Sequence, residues 1–204
     1  MSTIEVFADV SCPFAHVALR QLVARRDELH RSDLGFRVRA WPLELVNGSP
    51  LDSSVVAKEV EALQADAAPT LFSHFDPSRF PSTSLRALDL AEVGYVSSAE
   101  LGERVSLAVR HALFEEGRDI ADPEVLTGIA NTFGLDSPRP EERQAVLRDW
   151  RAGQARGVTG SPHFFCGTES AFCPSLDIFK EAGRLAVQVN RGALDAFLAV
   201  CCAD

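Results

Sequence analysis

The chain has no run of 18 uncharged apolar residues, and its start, MSTIEVFADV, has no basic segment leading into an apolar stretch. The first absence excludes a bilayer-crossing helix and the second leaves no secretory leader, so a cytoplasmic protein is expected. Clustered cations are missing too: 20 Lys and Arg are scattered among 29 Asp and Glu, for a formal charge of −9. A phosphate backbone is held by grouped cations, so nucleic acid is excluded as a partner. Lysine is scarce beside arginine, which reflects genome composition rather than chemistry. No C-x-x-C occurs and no histidine pair stands at ligand spacing near the cysteines, so no metal is expected. Internal repeats and low-complexity segments are also lacking.

What is present bounds the answer further. With 204 residues and 46% hydrophobic content, the chain can bury a substantial core, as one large domain or as a domain carrying an insertion. Its five cysteines, Cys12, Cys166, Cys173, Cys201 and Cys202, are an odd number, so a full disulfide framework is not expected. The adjacent pair Cys201-Cys202 reads as an incidental tail.

Residues 4–8, IEVFA, form a short apolar run expected as a buried strand. From Pro13 to about His30, Phe14, Val17, Ala18, Leu22 and Leu29 recur at helical spacing, and Pro13 suits a first turn. Residues 36–41 alternate with period two, predicting a second strand parallel to the first. Helices are predicted over 55–67, 82–94, 99–116, 123–133 and 140–156. Ser97-x-x-Glu100 reads as a capping box, and Asp122-Pro123 and Ser137-Pro138 as caps followed by a first-turn proline. Residues 163–166 and 170–173 then flank Gly167-Thr168-Glu169 as a hairpin. Pro174-Ser175 is read as opening a last helix to about Val189, with a further short helix over 193–200. The order is β-α-β, helical block, β-β-α.

Cys12 stands where the first strand hands over to the first helix. A thiol there faces the positive end of the helix dipole and unpaired N–H groups, which favour thiolate. The alternative is a small apolar residue closing the corner. The segment Gly160-Ser161-Pro162-His163 suggests a tight turn with a cis Ser161-Pro162 bond. In this strand order the turn lies at the same end of the sheet as Cys12, where its backbone could pair with an extended substrate.

Asp9-Val10-Ser11-Cys12-Pro13-Phe14, then Ala155-Arg156-Gly157-Val158 and Gly160-Ser161-Pro162-His163-Phe164-Phe165, resemble the DsbA-like thioredoxin superfamily, and in particular its cytoplasmic FrnE branch. Residues 112–120, ALFEEGRDI, with Pro123-Glu124-Val125-Leu126 and Gly134-Leu135, are similar to the insert of that branch. The resemblance implies an α/β thioredoxin-like fold over 1–50 and 151–204, interrupted by an all-helical insertion over 51–150. It implies thiol-disulfide oxidoreductase chemistry, with Cys12 as the attacking thiol and Pro162 as the cis-proline beside it.

The second cysteine of the family's C-x-x-C is Ala15 here, so a mixed disulfide at Cys12 has no resolving thiol within the motif. Resolution by a small thiol such as glutathione, resolution by another cysteine, and use of the fold for other chemistry all stay open. Cys173 is the foremost substitute: it is expected at the end of the sheet that holds Cys12, opening a helix of its own. Two strand spacings of ~4.8 Å would put it roughly 10 Å away, too far for a disulfide without movement. Cys166 is expected to face Cys173 across the hairpin.

Ser175, at the start of the last predicted helix, is a candidate for a small thiol's carboxylate or a plain helix cap. His16, one turn beyond Cys12, and Asp9 are candidate accessory groups, with a structural histidine and a corner cap as the alternatives. Phe14 is placed at the substrate entrance together with Ser161 and Pro162. No tightly bound cofactor is expected, and glutathione or another low-molecular-weight thiol is the candidate co-substrate beside a thiol or disulfide substrate, small molecule or protein. Kappa-class glutathione transferases and 2-hydroxychromene-2-carboxylate isomerases share the implied architecture with serine at the active position. They are the second reading, and a non-catalytic binding protein is the third.

Overall fold

A computed structural model describes residues 3–201. The chain opens with β1 (Thr3–Ala8), α1 (Pro13–Glu28) and β2 (Gly35–Ala40), and β1 and β2 pair in parallel with Val6 opposite Val38. Helices follow: α2 (Leu43–Asn47), α3 (Ser53–Asp66), α4 (Leu85–Ser97), α5 (Ala99–Phe114), α6 (Pro123–Thr132) and α7 (Pro140–Ala155). Then come β3 (His163–Cys166) and β4 (Glu169–Phe172), which complete a sheet of order β2-β1-β3-β4 with β3 antiparallel to both neighbours. This is the thioredoxin-like arrangement, with a helical insertion between β2 and β3.

The last segment departs from expectation. No helix begins at Pro174-Ser175. Residues 176–189 instead form a hairpin of β5 (Leu176–Glu181) and β6 (Arg184–Val189), and α8 (Arg191–Cys201) is the final helix. The turn puts Ala182 (φ 49°) and Gly183 (φ 79°) both in the left-handed region, as a two-residue hairpin turn requires. Alanine tolerates that region poorly, so Ala182-Gly183 does not advertise the turn as Asn-Gly would. Cys201 is buried and packs in one core cluster with Leu19, Leu194, Phe197 and Leu198, so it is not an incidental tail; Cys202 lies outside the described residues.

Two caps also shift. Ser97 closes α4, and it is Ser98 whose hydroxyl accepts the Leu101 N–H at 3.1 Å to start α5. Helix α7 begins after Arg139 rather than after Ser137, with the Glu142 carboxylate accepting the Arg139 N–H at 2.7 Å. Asp122 caps α6 as predicted, accepting the Glu124 N–H.

The insertion is fastened to the sheet by polar contacts through an apolar seam. The Val38 N–H donates to the Tyr95 hydroxyl at 2.8 Å, and Asp149 pairs with Arg39 at 2.7 Å while accepting the Ala40 N–H. Tyr95 reaches Val38 over Gly102, where an added Cβ would stand 2.1 Å from the tyrosine ring. Gly102→Ala is therefore expected to displace the ring and break the Val38 bond. A loss of about 2–4 kcal/mol in urea unfolding is expected from overpacking and the lost hydrogen bond together.

Candidate active site

Cys12 sits at the N-cap of α1, 4% exposed, in the corner where β1 ends. Its thiol donates to the Ser161 carbonyl at 3.1 Å. The Ser161-Pro162 bond is cis, so the turn before β3 presents that carbonyl to the thiol. The Ser161 hydroxyl accepts the Asp9 N–H at 3.0 Å, locking the turn to the β1 corner. On the other flank the Pro162 carbonyl accepts the Cys173 N–H at 3.0 Å. Asp9, Cys12, Ser161, Pro162 and Cys173 thus form one constellation, drawn from positions 9 to 173.

The electrostatics of the corner overturn one expectation. Burial pushes the Cys12 thiol up to about 12, and the charges of Glu59 and Asp9 add to the rise. The Ser161 side chain and the Ala15 N–H in the first turn of α1 work in the opposite direction without matching it. The helix end is present, but desolvation outweighs it. Cys12 is a protonated donor in this state. Cys173, 3% exposed, is likewise pushed up to about 12 by burial, and charge on Cys12 adds to the rise.

Asp9 is 1% exposed and its carboxylate accepts four hydrogen bonds: from the Ser11 N–H and hydroxyl, the Leu43 N–H at 2.6 Å and the Ser84 hydroxyl. Burial raises its pKa, and these donors oppose the rise. Behind it lies Arg110, which is 0% exposed. Its guanidinium donates to the Asp9 carbonyl at 3.2 Å and to the Ser106 carbonyl and hydroxyl at 2.9 and 2.6 Å. Burial brings it down to about 10, and the charges of Asp9 and Cys12 favour its cationic form. Arg110 was not anticipated from sequence. Its signal was an arginine on the apolar face of α5, among Val105, Val109 and Leu113, where a buried cation must serve something. Glu59 was also missed; burial pushes its carboxyl up to about 7.

The remaining candidates lie elsewhere. His16 is 1% exposed, and its ring packs in a three-ring cluster with Phe72 and Phe114 at centroid distances of 5.5 and 5.0 Å. Its Nε2 meets the Glu115 carboxylate at 2.7 Å, so the ring ties α1 to the end of α5 instead of serving the thiol. Burial lowers the His16 pKa. Burial also works against ionisation of Glu115, but the hydrogen bonds from His16 and the Phe72 N–H outweigh it and hold that carboxyl below its ordinary range. Both shifts destabilise the fold in acid. A histidine with a lowered pKa takes up its proton in the unfolded chain first, so stability is lost as pH falls below about 6.5. His16→Gln should flatten the decline in thermal midpoint between pH 7.5 and 5.5; an unchanged slope would assign the decline to other groups.

Ser175 precedes β5 rather than a helix, so neither the cap nor the helix-end carboxylate site exists there. Its buried hydroxyl has no partner among the described residues and lines a cavity of about 150 Å³ with Gln21, Ala24 and Leu194. Gln21 is two and a half turns beyond Cys12, roughly 13 Å along α1, and Cys12 is not among the residues that line this cavity. Phe14, half-buried in the first turn of α1, packs against both large core clusters. Cys166 pairs with Glu169 at the turn end of the hairpin, at the opposite end from Cys173, so the two do not face each other.

A family model for the DSBA-like thioredoxin domain matches residues 3–186, spanning the cysteine corner, the insertion and the cis-proline turn. The chain belongs to the DSBA-like thioredoxin domain family. Solved structures agree on the fold. Cytosolic disulfide reductase DsbM from Pseudomonas aeruginosa with GSH is 17% identical, with a TM-score of 0.64, over 99% of this chain and 100% of that one. A putative protein disulfide isomerase from Nitrosomonas europaea is 14% identical, with a TM-score of 0.67, over 98% of each chain. 2-Hydroxychromene-2-carboxylate isomerase is 16% identical, with a TM-score of 0.58, over 83% of this chain and 88% of that one. No curated protein matches the chain at a significant level. This DSBA-like chain contains no helix, among the described residues, long and apolar enough to cross a membrane.

Proposed function

We propose that this DSBA-like protein is a cytoplasmic, FrnE-like oxidoreductase that exchanges thiols through the single cysteine Cys12. The observation that carries this reading is the contact of the Cys12 thiol with the carbonyl of Ser161, beside cis Pro162, in a corner without a second cysteine in the motif. In the forward step the Cys12 thiolate attacks a disulfide R–S–S–R, forming Cys12–S–S–R and releasing R–S⁻, while the thiol proton passes to solvent or to the departing thiolate. A low-molecular-weight thiol such as glutathione then attacks the mixed disulfide, restores the Cys12 thiol and leaves with R as a new disulfide. No tightly bound cofactor takes part. Cys173, bonded to the same turn, is the internal alternative to the small thiol.

One observation favours a second reading. The Cys12 S–H is a protonated donor, given to the Ser161 carbonyl at 3.1 Å; released from that carbonyl, it would hold a bound small thiol in its thiolate form as a serine hydroxyl would, as in transferase or isomerase chemistry. Incubation with glutathione disulfide, followed by mass spectrometry of peptides and assay of a small disulfide with glutathione, separates the two. One adduct on Cys12, with turnover lost in Cys12→Ser, supports thiol exchange. An unmodified Cys12 together with a Cys12→Ser variant that retains glutathione-dependent activity would establish the second reading.

A further inference from the structure

Away from the cysteine corner, a groove of about 550 Å³ lies between α5 and α6, with Arg20 of α1 also in its lining. It falls within the size range of small-molecule sites, and its walls are mostly apolar, built from Leu107, Ala108, Ile129 and Phe133. Its charge is opposite to that of the chain. In a protein of net charge −9, the groove brings together Arg20, Arg104 and Arg118 against one carboxylate, Glu116. Glu116 is occupied by Arg118 at 3.2 Å and by His111 at 3.6 Å. Arg20 and Arg104 have no carboxylate within ion-pair distance among the described residues, and Arg104 lies over the Phe133 ring at 5.3 Å from its centroid.

Several surface arginines elsewhere are matched, Arg25 with Asp195, Arg26 with Glu103, Arg31 with Asp33 and Arg143 with Asp89, whereas Arg86, Arg148, Arg151 and Arg191 are exposed without a carboxylate at ion-pair distance among the described residues. What sets the groove apart is that two unmatched guanidinium groups, Arg20 and Arg104, line the same apolar trough. We infer that this groove binds a small organic monoanion, a carboxylate on an apolar body, with the carboxylate held by Arg20 and Arg104 and the body laid along Leu107, Ile129 and Phe133. Guanidinium matches a carboxylate in a planar two-point geometry, and an apolar body gains by leaving water. The net charge of −9 on the chain disfavours polyanions relative to a monoanion. The site stands on its own whether or not Cys12 exchanges thiols.

The test uses the full chain, uniformly labelled with nitrogen-15, titrated with octanoate, octanamide and inorganic phosphate while backbone amide shifts are followed. Octanoate is expected to move amides of residues 104–112 and 128–133 with a dissociation constant at or below millimolar, to weaken on raising salt, and to leave Asp9 and Cys12 unmoved. The double variant Arg20→Gln/Arg104→Gln should weaken octanoate at least tenfold while its spectrum elsewhere and its thermal midpoint stay those of the parent. Equal binding of octanamide would overturn the role of the arginines, and equal binding of phosphate would overturn the role of the apolar wall. Absence of shifts at millimolar octanoate, or shifts centred on Cys12, would overturn the site itself.

Discussion

Alkylation of Cys12 by iodoacetamide at pH 7 should be about a thousandfold slower than alkylation of the same cysteine in the urea-unfolded chain. The buried thiol is pushed from 9.0 up to about 12. Each unit divides the thiolate fraction by ten well below the pKa, and the whole difference corresponds to roughly 4 kcal/mol at ~1.4 kcal/mol per unit. The rate should climb tenfold per pH unit beyond pH 9 without a plateau, whereas an exposed cysteine levels off. Glu59→Gln should speed the reaction above pH 7, because it removes a charge that holds the thiol protonated. A plateau near pH 7 would instead mean a stabilised thiolate, with the helix end outweighing desolvation at Cys12.

This prediction bears on the direction of exchange. A thiol that resists ionisation gains from being held as a disulfide and leaves slowly when attacked, the reverse of a strong oxidant whose reduced form is stabilised. An adduct at Cys12 should therefore be long-lived, because a small resolving thiol must attack the outer sulfur and expel Cys12, the less acidic and poorer leaving group, whereas attack at the Cys12 sulfur only replaces one adduct by another. Reaction at neutral pH requires the Ser161 carbonyl to give up its hydrogen bond as the corner opens. Because the Ser161 hydroxyl is held by the Asp9 N–H, opening involves the β1 corner as well as the turn.

The sheet and most helices were legible because periodicity and punctuation agreed: residues 3–8 and 35–40 are strands, and Pro13, Pro123 and Pro140 each stand in a first helical turn. The 176–189 segment was misread because Leu176, Phe179, Ala186 and Val187 satisfy a helical template while the turn rests on an alanine in a disfavoured conformation. At the corner, Cys12, Asp9, Ser161, Pro162 and Cys173 were singled out by sequence signals at chain corners, and the structure brings the five together. Arg110 and Glu59 were not, because what brings them to the thiol is the packing of the insertion onto α1, a long-range event without a local motif. The lowered thiol pKa expected from the helix end failed for the same reason: the helix end is local, while the depth of burial is a property of the whole fold.

Arg110 offers the largest expected loss of stability. Its removal in Arg110→Ala leaves the Asp9 carbonyl and the Ser106 carbonyl and hydroxyl without their donor and opens a cavity in the centre of the seam. It also strands the Asp9 carboxylate in a buried corner. Loss of one member of such a buried charged arrangement costs about 3–5 kcal/mol, which at 2–4 °C per kcal/mol lowers the thermal midpoint by roughly 6–20 °C in a chain of this size. Arg110→Met fills the space but keeps the charge defect, so it should recover part of the cavity cost while leaving Asp9 uncompensated. The thiol reports the electrostatic part separately. Arg110 and Cys12 favour each other's charged forms, so in both variants alkylation of Cys12 at fixed pH should fall further, even where Arg110→Met remains folded. If Arg110→Met leaves the alkylation rate unchanged, the guanidinium acts only as a strut between α5 and the β1 corner, and the charge balance of the thiol is set by Asp9 and Glu59 alone.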